Sequence, residues 1–252
     1  MSLYFVAPNS VVRQIWGRSD TILLIFAGAA AEFALNKAVD WLYFTGRLPA
    51  DPLGRLFSTV GYARAIVFSE QAGALRAIEH MSQIHAGVEA SRGYAIPPEA
   101  YRDVLFMLTD YSMRAFELLE RPLTLAEQEE VFRVFNRLGQ AMGLTGLPDS
   151  LAAWRQARAG HLMANLHRSA FTDDLFLQYR KHLGPWRYAL LRQAQASLAP
   201  THVRTLLGLP ARPWLPVLVA PYRLAQRWRL DRWVKVLLFP KKYQAQIWAL
   251  DQ

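Results

Sequence analysis

Asp51-Pro52-Leu53-Gly54-Arg55-Leu56-Phe57-Ser58-Thr59, followed at Ile84-His85-Ala86-Gly87-Val88 by a second motif, marks a pair of consecutive helices. Asp51 suits an N-cap and Pro52 the first helical position, because a helix start leaves backbone N–H groups to satisfy and proline has none to lose. The apolar spacing predicts one helix over about 53–68 and another over about 74–89. In the first, Arg55 and Thr59 are four residues apart and share a face, which Tyr62 and Ile66 continue. In the second, Leu75, Ile78, Ser82, His85 and Val88 recur at steps of three and four, so His85 sits on the apolar stripe. His80, five residues earlier, points about 140° away at ~100° per residue.

Outward from this pair the pattern stays helical. Thr21–Leu35 reads TILLIFAGAAAEFAL; with 15 residues and Glu32 inside it, it falls short of the about 20 apolar residues of a membrane span and is expected as a buried core helix. Ser19-Asp20 is a candidate cap for a segment reaching Phe44 with a break near Asn36. Pro98 opens a helix to about Glu120, and Thr124-Leu125-Ala126-Glu127 has the form of a capping box. Pro148-Asp149-Ser150 is read as the cap of a helix from Leu151 to about Leu166. Less regular helices are expected at 176–183 and 186–198, with a short one at 200–207 closed by Gly208. Pro210, Pro213, Pro216 and Pro221 read as a stiff connector before a last helix at about 222–239. Alternating strand patterns and tight hairpin turns are scarce. The expected fold is therefore all-α: a helical bundle over residues 17–209, then a Pro-rich connector and a basic amphipathic C-terminal helix over 210–252.

Composition narrows the chemistry. A chain of 252 residues that is 52% hydrophobic has ample material for a core. It has no cysteine, which excludes disulfides, iron–sulfur clusters, thiolate ligation of haem or zinc, and a Cys nucleophile. Nucleotide-binding glycine loops, HExxH and GxSxG are missing. The net charge of +9 is concentrated late: residues 1–199 hold 20 Lys/Arg against 18 Asp/Glu, whereas 200–252 hold nine against two. Arg223–Lys242 carries seven basic residues with Trp228 and Trp233, a composition suited to an anionic membrane surface, an acidic partner, or a helix packed with its basic face outward. Nucleic acid is not expected, since no binding motif accompanies the charge. Met1–Trp16 has no secretory signal pattern, so a cytoplasmic protein, peripheral at the membrane through its tail, is expected.

The candidate residues keep two readings each. His85 is either a hydrogen-bonded core histidine or an axial iron ligand, since one neutral imidazole can hold haem. Arg55 either bonds Asp51 and solvent or meets an anion. A haem propionate matches its fork, and Thr59 can bond a propionate or bound oxygen. Glu32 and Asp40 flank the greasy helix either as pocket acids or as buried acids with partners. His161 and His167 are six apart and do not form a two-His metal face.

The order Asp-Pro-Leu-Gly-Arg-Leu-x-x-Thr, a helix, then Ile-His-x-x-Val resembles the DUF2236 family, which includes MpaB-like proteins and latex-clearing rubber oxygenases. Tyr94 and Pro97-Pro98, Glu120 to Thr124 with Glu127, Gly143 with Leu147-Pro148, and Pro200 to Leu209 resemble further pieces of it, in order, over about residues 17–209. The resemblance implies an all-helical domain with b-type haem. His85 would be the proximal iron ligand, Arg55 and Thr59 would act at the haem, and Arg204 would be a further cofactor-binding arginine. It implies an oxygenase or oxidoreductase that uses O₂ or peroxide on an apolar small molecule. Three departures stand out: Ser58 occupies the place of a distal lysine, Ala29–Glu32 that of a His-Pro pair, and Ala90 that of a glycine. They leave open a non-catalytic helical carrier or membrane-surface protein of the same fold without haem.

Overall fold

The computed structural model describes residues 3–44, 46, 50–228 and 243–250; at Leu42, Pro52, Arg55, Leu56 and Arg227 it describes the backbone only. Among the described residues there are thirteen helices and no strand, so the fold is all-α. In chain order they are α1 (Val11–Trp16), α2 (Ser19–Phe33), α3 (Val39–Phe44), α4 (Pro52–Phe68), α5 (Gln71–Arg92), α6 (Pro98–Leu119) and α7 (Leu125–Ala141). They continue with α8 (Leu151–Asn165), α9 (Ala170–Leu183), α10 (Pro185–Leu198), α11 (Thr201–Leu207), α12 (Leu215–Arg227) and α13 (Gln244–Ala249).

The packing is organised on α2 and α6. The greasy stretch does form a core helix: Ile22, Ile25, Ala29 and Ala31 are buried, and no described helix is long and apolar enough to cross a membrane. Gly28 lets α2 come against the ring of Tyr111, which is fully buried; a Cβ there would overlap the ring carbons. Around this pair, α1, α4 and α7 close one side, α4 and α5 pack as a hairpin, and α9, α10 and α11 build a second apolar cluster around Leu35, Leu175 and Val203.

Charge is buried at the centre. The Arg158 guanidinium on α8 donates to both carboxylate oxygens of Glu32 on α2 and, at 3.2 Å, to Asp110 on α6. Burial disfavours the charged guanidinium, but the two carboxylates outweigh it and its pKa rises. Glu32 is thus a paired core acid, not a pocket acid. Asp40 is likewise paired, with Arg92 at 2.6 Å, and Arg92 lies over the rings of Trp41 and Tyr94. A second buried carboxylate, Asp103, accepts from Asn36, Asn165 and His161 and ties the turn after α2 to the end of α8.

The caps at Asp51, Thr124 and Ser150 form as the sequence predicts. Other expectations are corrected. Arg18, whose side chain makes no capping bond, is the N-cap of α2, and Ser19 and Asp20 lie inside the helix. The C-terminal helix begins at Leu215, so Pro216 and Pro221 belong to it and not to a connector. Pro216 falls in the first turn, where a missing N–H costs nothing. Pro221 gives up one bond, that to the carbonyl of the exposed Val217, which water can satisfy. The expected remainder of that helix, 229–239, lies outside the described residues. Helices α1 and α13 are additions. α13 brings Tyr243 back to α4, where its hydroxyl donates to Asp51 at 2.6 Å and its ring stacks on Phe57.

Two stability outcomes follow. Arg158→Ala leaves Glu32 and Asp110 buried without their shared cation and is expected to cost roughly 3–5 kcal/mol in urea unfolding. Glu127 closes the capping box and pairs with Arg121, whose bonds, with that from the Thr124 N–H, hold its pKa down at about 2. A depressed carboxylate stabilises above its unfolded pKa and loses that contribution as pH falls. Glu127→Gln is therefore expected to be less stable than wild type at neutral pH, the gap closing between about pH 4.3 and pH 2.

Candidate functional site

The motif of α4 has a local cause. The Asp51 carboxylate accepts from the Gly54 N–H at 3.1 Å, and a Cβ at position 54 would overlap that carboxylate, so glycine is needed where the motif has it. The cap fixes the helix start and with it the height of Arg55 and Thr59. Across the hairpin, the Tyr62 ring lies 5.8 Å from His80. Counting along both helices from this contact sets Thr59 level with Gln83 and Arg55 level with Gly87, so His85 falls in height between the two motif residues.

His85 is half-buried and lines a cleft of about 280 Å³. The α5 wall is Ser82, His85, Ala86 and Glu89; the others are Ile96, Pro98 and Tyr101 at the start of α6, and Met142 to Thr145 after α7. The Tyr101 ring meets the imidazole edge-on, with centroids 5.2 Å apart. Glu89 holds this arrangement: Oε1 accepts from the Ile96 N–H at 2.8 Å and from the Tyr101 hydroxyl at 3.2 Å. Burial and the neighbouring Glu89 charge push the Tyr101 phenol well above its usual pKa. Glu89 and Tyr101 are site residues that the sequence reading passed over. The first was available from its i, i+4 spacing to His85, whereas the second depends on tertiary packing.

A second opening lies along α4. Its volume is also about 280 Å³, and its lining is almost wholly apolar, from α2, α4, the end of α6, α9, α10 and α12. Leu53 and Phe57 are its α4 wall, about half a turn round the helix from Arg55 and Thr59. The polar groups at its edge are Asp20, Arg187 and Tyr222, and the Tyr222 hydroxyl donates to Asp20 at 3.2 Å.

The sequence-predicted residues are only partly brought together. His85 and Thr59 belong to the paired helices α5 and α4, and Thr59 is half-buried. The Arg55 side chain lies outside the described residues. Arg204 is on α11, which packs on α2 and α8. It donates to the carbonyls of Pro210 and Ala211, and none of its bonding partners belongs to the His85 cleft. Three of the motif pieces do converge: the His85 helix, Pro98 and Gly143 share one cleft.

A family model described as the catalytic domain of ER-bound oxygenase mpaB/B′ and rubber oxygenase matches residues 13–234. The chain belongs to this family. No curated protein and no solved structure matches it. As a member of a family of oxygenase catalytic domains, the chain is an oxygenase-type enzyme. The match takes in α12 as well as the bundle, in keeping with the packing of α12 on α6 and α10.

The donor set at the cleft can be set against the needs of haem. Among the described residues there is no group of three or more His, Asp or Glu side chains able to hold a metal ion. A metal at His85 must therefore bring most of its ligands with it, as an iron porphyrin does, and a single imidazole supplies the axial donor. That part fits. The charged residue in the cleft wall is Glu89, an acid already engaged, so a cation for the propionates would come from outside this lining.

Tyr101→Phe is expected to lower stability by about 1 kcal/mol at neutral pH through loss of its hydrogen bond to Glu89. A phenol whose pKa is raised by folding stabilises below about pH 10 and loses that contribution as pH climbs further. The gap between wild type and variant should thus shrink in alkaline unfolding experiments.

Proposed function

We propose that this oxygenase uses haem b, with His85 as the proximal iron ligand, and oxidises an apolar small molecule with O₂ or peroxide. The observation that carries the reading is the placement of His85: a half-buried imidazole, alone among its neighbours as a nitrogen donor, in a cleft where three motif segments of an oxygenase family meet. When bound, haem would supply the redox chemistry that activates O₂ or peroxide, and His85 would hold it.

The chain's own residues would position and enclose. His85 gives its lone pair to the metal, and the edge of Tyr101, held by Glu89, limits rotation of the imidazole plane. Arg55 offers a two-pronged donor to a propionate, and Thr59, one turn further, a hydroxyl. The apolar cavity behind Leu53 and Phe57 suits the substrate class, since it has few polar groups to orient a hydrophilic ligand and excludes water from an apolar one. Arg204, tied to carbonyls of the following turn, is assigned to holding that turn.

A second reading, a carrier of apolar ligands built on the same fold, is favoured by one observation: the apolar cavity shares no lining residue with the His85 cleft.

Titration of the purified protein with haemin, followed in the Soret region, separates the two. The enzyme reading expects one equivalent to bind with a histidine-ligated spectrum. It expects His85→Ala to lose that spectrum and weaken binding by at least about tenfold, with Arg204→Ala unchanged. A Soret band indifferent to His85→Ala, in a protein that still takes up a fluorescent apolar probe, would leave the carrier.

A further inference from the structure

Helix α12 is built the wrong way out for a helix that simply packs. Its inner side is well fastened. Tyr222 and Gln226, one turn apart, both donate to Asp20 at the start of α2. Arg223 donates to the carbonyls of Leu118 and Leu119, which end α6. Leu215, Val219 and Tyr222 line the apolar cavity.

The opposite side carries no polar face. Trp214, Val217, Pro221, Leu224 and Trp228 follow one another at steps of three, four, three and four, so they form one stripe. All five are exposed, Val217 at 75% and Trp228 at 72%. The stripe runs about 21 Å, and an exposed apolar strip of that length marks a contact surface. A tryptophan stands at each end, the residue that favours a membrane–water boundary. The sequence that follows Trp228 directly, Arg229 to Lys242, holds five Lys/Arg and one Asp, a charge complementary to an anionic surface.

We propose that the outer face of α12 rests in the headgroup region of an anionic lipid bilayer, and that the apolar cavity is loaded from that bilayer. The second half of the statement rests on Leu218. It lines the cavity and is also 47% exposed, so the cavity reaches the surface beside the stripe. An apolar ligand leaving the bilayer at α12 therefore meets the cavity without crossing water. Cations steer the chain to the anionic surface, and the stripe supplies the burial that holds it there. The surface proposal is independent of haem. Only the loading half shares the apolar-ligand reading given above.

The test uses the full-length chain and sedimentation with vesicles of phosphatidylcholine, with or without phosphatidylglycerol. Wild type is expected to sediment with the phosphatidylglycerol vesicles and to be released by high salt. The variant Val217→Glu/Leu224→Glu should bind at least about tenfold more weakly while keeping its near-UV spectrum and melting temperature, because both side chains are exposed. If that variant fails to fold, Val217→Ser/Leu224→Ser takes its place. Brominated phosphatidylcholine mixed into the vesicles should quench wild-type tryptophan emission more than that of Trp214→Phe/Trp228→Phe. For loading, an apolar fluorophore dissolved in the vesicles should transfer to wild type faster than to the Glu variant. Failure of wild type to bind, equal binding by the variants, or a stripe whose substitution instead changes a concentration-dependent mass in light scattering would overturn the surface proposal. Vesicle binding with equal transfer rates would overturn the loading step alone. A haemin titration does not bear on either.

Discussion

A guanidinium buried between two carboxylates holds this bundle together. Arg158 reaches Glu32 and Asp110 from a third helix, so α2, α6 and α8 meet at one charged point inside an otherwise apolar interior. Taking three charges out of water is expensive; both carboxylates share one fork donor, and Asp110 also accepts from Arg114 at 2.7 Å. Its structural effect is register. An apolar interface between α2 and α6 tolerates small slides, but a bidentate pair at one end and the ring of Tyr111 against Gly28 do not. The two openings inherit this rigidity. Tyr101, which packs on His85, is carried by the first turn of α6, nine residues before Asp110, and Asp20, which holds α12, is carried by the first turn of α2.

Local rules made part of this legible. A side chain that satisfies backbone donors within three residues is visible in sequence, so Asp51, Thr124 with Glu127, and Ser150 announced their helices. Periodicity announced α5, but of the expected stripe only Ile78 is buried and Leu75 is exposed. Helices of six residues, such as α1 and α13, contain too few turns for a period to show. At α12 the rule that proline breaks helices misled, because its cost depends on where the orphaned carbonyl points, and that is a tertiary fact. The central ion cluster was illegible for a similar reason. Glu32 and Arg158 are 126 residues apart, and nothing local distinguishes Glu32 from an acid facing a pocket. At the site, the sequence pointed to the His85 helix, and Glu89 was within reach on spacing. Tyr101 and the Met142–Thr145 wall arrive only through packing.

The fold also gives the polar and apolar needs of an oxygenase to different places. One opening has an imidazole, a carboxylate and a phenol arranged around it, while the other has leucines, phenylalanines and alanines with polar groups only at its edge. This separation makes physical sense: a dry cavity strengthens the hold on an apolar ligand, whereas the imidazole needs polar neighbours to fix its orientation.

Helix α4 lines the dry cavity and packs against α5, the helix that carries His85. Its Leu53 and Phe57 face the dry cavity, and Arg55 and Thr59 stand about half a turn away at the height of His85. The N-terminal half of this helix is fixed by contacts at its start: the Asp51 cap, the Tyr243 hydroxyl on that same carboxylate, and the Tyr243 ring on Phe57. Tyr243 therefore buttresses the Phe57 wall of the apolar cavity from outside. By fixing the start of α4 it fixes the wall that Leu53 and Phe57 give the apolar cavity.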